Sequence, residues 1–165
     1  MMELDALLRA LEATGFATAI RENESLFPWI ESVHVLAITL VVGSIAIVDL
    51  RLLGVASLDR AAVRLTSDVL PCTWAAFAVA VITGSLLFSS NAFNYAHNGY
   101  FQAKFIFMAL AGLNMAVFHL TGVRDIARWG AARGTPLAAK AAGAISLLVW
   151  VAVIVFGRWI GFTLR

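Results

Sequence analysis

The sequence predicts an all-α fold, a four-helix transmembrane bundle with a short N-terminal amphipathic surface helix. Three observations carry this. The chain is 61% hydrophobic and 13% charged, where a soluble domain holds about 45–50% apolar and about 25% charged residues. The apolar excess is gathered into four stretches, each long enough for the roughly 20 residues that cross a bilayer. The 165 residues leave room for one compact domain.

Taken in order, residues 1–27 form the amphipathic segment. Leu4, Leu7, Leu8 and Leu11 make an i, i+3, i+4, i+7 stripe opposite Glu3, Asp5, Arg9 and Glu12, the pattern of a helix lying on a membrane surface, on a partner or on the bundle's own end. The segment lacks the basic and apolar regions of a cleavable signal. Residues 28–165 form the bundle, with spans at about 28–54, 69–89, 100–123 and 136–162. Pro28 and Pro136 suit the first turn of a helix, where a missing N–H costs nothing. Thr135 is a fair N-cap for the last span. The small residues Gly43, Gly84, Gly112, Ala139 and Gly143 permit close helix approach.

Charge orients the bundle. Arg60, Arg64, Arg124, Arg128, Arg133 and Lys140 lie on one side, and the tail and the loop 90–99 lie on the other. Basic residues favour the cytoplasm, so both termini are expected outside, on the periplasmic side of a bacterial inner membrane. The basic residues form no run, and nucleic acid is not an expected partner. Cys72 is the single cysteine, which excludes an intrachain disulfide and a multi-thiolate metal site.

Ionisable side chains within spans are costly and face the interior, a partner or a water cavity. Glu31, His34, Ile38, Val41, Ile45 and Asp49 share one face of the first span. Lys104, Met108, Gly112, Met115 and His119 share one face of the third. At the helical rise, His34 lies about 9 Å below the outer end and His119 about 28 Å down its own helix. An outer layer is therefore expected from Glu31, His34, His97, Lys104 and Arg158, and an inner one from Asp49, Arg51, His119 and Arg124. Haem b fits this pattern, needing an imidazole ligand, an apolar slot and cations for its propionates. His34 is the outer candidate ligand, with Lys104 and Arg158 for the propionates and Glu31 or a backbone carbonyl to fix the ring. His119 is the inner candidate, with Arg51 and Arg124 at its rim. The two histidines differ in depth by about 19 Å, so one iron cannot take both. His97, Met108 or a partner subunit is left as second ligand. Copper is the alternative metal, through His34 and His119 with few thioethers to help. The same residues also serve as plain ion pairs, helix-end anchors or snorkelling cations. No nucleophile elbow or phosphate loop is present, so an electron carrier or non-catalytic subunit is expected rather than a stand-alone enzyme.

The stretches FPWIESVHVLAITLVVGSIAIVDLRLLG, NYAHNGYFQAKFIFMALAGLNMAVFH and SLLVWVAVIVFGRWIGF together resemble an uncharacterised bacterial family of four-span inner-membrane proteins. Its members are sometimes labelled copper-resistance D-like. The motifs are Glu31-x-x-His34, Asp49-Leu50-Arg51, Lys104, Asn114 with His119, and Gly157-Arg158, and the resemblance runs from Ser25 to Phe162. The expected function is a b-type haem electron-transfer subunit at the periplasmic side, working between a quinone or membrane partner and a periplasmic redox protein. The alternatives are a membrane anchor or assembly subunit of a larger complex, and copper or other metal handling. A homodimer or larger membrane complex in the lipid bilayer is expected.

Overall fold

A computed structural model describes residues 2–56, 62–121 and 135–164. Among them are seven helices and no strand: α1 (Met2–Glu12), α2 (Gly15–Glu22), α3 (Leu26–Leu53), α4 (Ala62–Ser90), α5 (Ala92–His97), α6 (Gly99–Thr121) and α7 (Leu137–Thr163). Four of these, α3, α4, α6 and α7, are long and apolar enough to cross a membrane. Their outer faces leave residues such as Leu36, Ile82, Leu113 and Leu148 exposed, as lipid-facing helices require. The expected all-α four-helix bundle is the fold found.

Two boundaries differ from the sequence reading. The N-terminal segment is two helices, because the Thr14 side chain accepts from the Ala17 N–H and starts a second one. The second long helix begins near residue 62 rather than 69, since its first turns carry Arg64 and Asp68 and read as loop by hydropathy alone. Pro71 sits inside it and removes one i→i−4 hydrogen bond from the ladder. The helix α3 ends at Gly54, whose φ of 78° provides the left-handed cap.

The long helices pack as two antiparallel hairpins. The pairs α3–α4 and α6–α7 each pack along their length, and α3 with α7 joins them. The closest join is at Gly143, where a Cβ would stand 3.0 Å from the backbone oxygen of Asp49 and 3.2 Å from the Leu52 Cβ. Nearby, Leu52 and Ala139 are buried with Val48 and Phe118 against them. No comparable packing joins α4 to α6 among the described residues. They meet through Phe88 stacked on Phe101, ring centroids 5.5 Å apart, at the end of the bundle that carries α5. Towards the opposite end a gap stays open between them.

The helices α1 and α2 cover the α5 end. Of the leucine stripe, Leu8 is buried while Leu4, Leu7 and Leu11 stay exposed, so α1 rests on the bundle through a small part of its apolar face. Its last residue, Glu12, accepts from the Phe93 N–H at 2.7 Å and thereby caps the start of α5. Arg9 lies over the Phe93 ring, 4.0 Å from its centroid. Arg21 of α2 donates to the Ser90 carbonyl at 3.2 Å.

Candidate functional site

The intramembrane polar groups fall into two places. The first is His34, on the α5 side of α3 and partly buried. Its Nδ1 is 2.9 Å from Thr83 Oγ1 on α4. The Thr83 hydroxyl spends its proton on its own helix, donating to the Val79 carbonyl at 2.7 Å. Its oxygen is thus the acceptor, and Nδ1–H of His34 donates to it. The Ala80 carbonyl is a further acceptor beside the ring. With the proton held on Nδ1, a neutral ring carries its lone pair on Nε2. Gly84 makes the seat: a Cβ there would stand 2.9 Å from Cε1 and 3.5 Å from Nδ1 of His34.

Lys104 reaches this place from α6. Its Cδ, Cε and Nζ lie 3.6 to 3.7 Å from where a Cβ on Gly157 would be, so the absence of a side chain on α7 makes room for the stem. Its charge is felt at the His34 ring. Its ammonium has no hydrogen-bond or ion-pair partner among the described residues.

The other expected members are elsewhere. Glu31 is exposed, and its charge acts on Tyr95 rather than on the imidazole. Arg158 is exposed with its guanidinium 4.7 Å over Phe162. His97 is exposed, its Nδ1 donating to the Phe93 carbonyl at 2.9 Å and its Nε2 3.4 Å from Asp5 of α1. Nδ1 is spent within α5 and Nε2 faces α1, so neither is left for an iron at His34. Met108 lines the gap between α4 and α6. The backbone of His119 is in α6, and its side chain lies outside the described residues, as do Arg60, Arg124, Arg128 and Arg133. Among the described residues no three His, Cys, Asp or Glu side chains converge as a metal site would need.

The second place is this gap, a cavity of about 470 Å³ lined by all four long helices. Asp49 projects to it from α3 and is 5% exposed. Ser146 of α7 gives its carboxyl one hydrogen bond, and Oδ2 has no partner. Arg51 is also buried. Thr83, Gly84 and Ser146 are the site residues that sequence reasoning missed. Gly84 was legible as a small packing residue, but which side chain it would receive was not.

No curated protein and no solved structure matches the chain. One family model does, over residues 25–163, a range that holds all four long helices and both polar places and leaves out α1 and α2. On that match the chain belongs to a family described as a family of unknown function, DUF6644.

Proposed function

We propose that this chain is an electron-transfer subunit of a bacterial inner membrane that binds haem b through His34, with α1, α2 and both termini on the periplasmic side. The observation that carries the reading is the imidazole fixed by Thr83, with the Lys104 ammonium, which has no partner among the described residues, close enough for its charge to act on the ring. A ligating histidine characteristically donates its other ring nitrogen to a fixed acceptor, which sets the tautomer and the ring plane. His34 meets that requirement on Thr83 and offers Nε2. Lys104, five residues into α6, is the cation for a propionate. Haem bound there would supply reversible one-electron chemistry. The chain's own part is to hold the ring, keep its proton on Nδ1 and balance one negative charge. His97 is held against α1 and Met108 lines the gap, so a second ligand for such a haem would come from a second copy or from a partner subunit. The topology rests on Arg64 and Lys140 at the far end of the bundle, with Arg60, Arg124, Arg128 and Arg133 beside them in sequence.

The test is the visible spectrum of the detergent-purified protein from haem-replete cells, oxidised and then reduced. The expected result is a haem band that sharpens on reduction and is lost in a folded His34→Ala variant. A colourless protein would overturn the reading. Co-purifying subunits would then identify a membrane anchor or assembly subunit, and stoichiometric copper without porphyrin would identify metal handling.

A further inference from the structure

We propose that the gap between α4 and α6 binds the ring headgroup of a lipid-soluble quinol, which enters sideways from the bilayer and donates a hydroxyl hydrogen to Oδ2 of Asp49. This does not rest on the haem reading, since it uses Asp49 and not His34.

The cavity, about 470 Å³, is within the range of roughly 300–1,000 Å³ typical of small-molecule sites. Several of its polar groups are engaged within the protein. Thr73 donates to Ser44 at 2.7 Å and to the Val69 carbonyl at 3.1 Å. Ser44 donates to the Val41 carbonyl at 2.9 Å. Asn114 donates from Nδ2 to the Ala142 carbonyl at 3.1 Å, tying α6 to α7. Ser146 serves the Asp49 carboxyl. The buried side-chain atom left without a hydrogen-bond partner among the described residues is Asp49 Oδ2. Such an acceptor is costly wherever it is buried.

The occupant must therefore bring an O–H or N–H donor. The remaining walls say what else it must be. Trp74, Phe77 and Trp150 give the cavity large flat surfaces, which suit a planar ring. The opening faces sideways, because α4 and α6 do not close on each other, so the route of entry is the lipid. A phospholipid acyl chain comes by that route but carries no donor. A metal cation satisfies the carboxyl but leaves the aromatic walls unused. A quinol has the hydroxyl, the flat ring and a tail that stays in the bilayer.

The tryptophans make the site measurable. The full chain in phosphatidylcholine nanodiscs is titrated anaerobically with decylubiquinol while tryptophan fluorescence is followed. The expected result is saturable quenching at one quinol per chain, absent when Trp74→Phe and Trp150→Phe are combined. Asp49→Leu removes the acceptor and should weaken binding at least tenfold. Asp49 also touches Ser146, so a second variant guards against misfolding. A Cβ at Gly112 meets nothing within 4 Å, so Gly112→Leu extends into the cavity, is expected to keep the parental melting temperature, and should weaken binding as much. Three results would each overturn the proposal. One is quenching that rises linearly with quinol in the bilayer, as plain partitioning does. Another is parental affinity in both variants. The third is copy-to-copy cross-linking of Gly112→Cys in a Cys72→Ser background, which would mean that a second chain fills the gap.

Discussion

The imidazole of His34 is held by one hydrogen bond and one absent side chain. Thr83 accepts its Nδ1–H, and Gly84 leaves the ring its place. A methyl group at Gly84 must push the ring off Thr83, so Gly84→Ala should cost about 1–3 kcal/mol in thermal unfolding, the usual range for overpacking. In a double-mutant cycle with His34→Ala most of that cost should vanish, because the ring it strikes is gone. Thr83→Val keeps the shape and removes the acceptor. It should cost about 0.6–1 kcal/mol in the same assay. Tyr95 in α5 offers a check outside the spans. Burial, and then the Glu31 charge, raise its phenol above the ordinary value of 10.0. The folded chain thus holds this proton to higher pH than the unfolded chain does. Its contribution to stability is complete below the ordinary value and is lost as pH rises through the raised one. In the Tyr100→Phe background, tyrosinate absorbance should appear later than for free tyrosine, and Glu31→Gln should bring it earlier. At this scale the sequence showed His34 and Lys104, since an ionisable group in an apolar run is conspicuous. It hid Thr83, because periodicity tells which residues share a face of one helix and not which residue of another helix they meet. It also grouped His97 and Arg158 with His34 by depth alone, while Asp5, Phe93 and Phe162 hold them elsewhere.

Elements are matched in pairs by their small residues. Gly143 lets α7 lie so close to α3 that a Cβ there would stand 3.0 Å from the Asp49 backbone oxygen, where backbone cannot yield as a side chain does. Gly143→Ala should therefore destabilise by about 1–3 kcal/mol, whereas Gly112→Ala, opening onto empty space, should leave the melting temperature nearly unchanged. Both glycines read alike in the sequence as packing residues. What separates them is which helix stands opposite, and hydropathy carries no record of that. The amphipathic stripe of α1 was legible for the same reason that the spans were, a regular apolar period. The break at Thr14 was not, because a single cap interrupts a pattern that otherwise continues. Glu12 caps α5 from another helix. Glu12→Ala should loosen α1 by about 1 kcal/mol, visible as faster amide exchange in α1 and α5 with the long helices unchanged.

At the scale of the whole molecule, two helical hairpins share one seam. The number and approximate limits of the long helices followed from hydropathy, because a bilayer demands about 20 apolar residues whatever the fold. Their neighbour relations did not, because four equally apolar rods can be ringed in more than one order. The order found leaves α4 and α6 apart and makes α3 and α7 the contact on which closure depends. That contact has a consequence for how the protein is made. During synthesis α3 enters the membrane first, bearing Asp49, and the residues that cover it, Gly143 and Ser146, arrive only with α7. Until α7 is made, the nascent chain holds a carboxyl that nothing has yet met. The helix α7 thus completes α3, and a chain that stops before Leu137 would present membrane quality control with an unanswered acid.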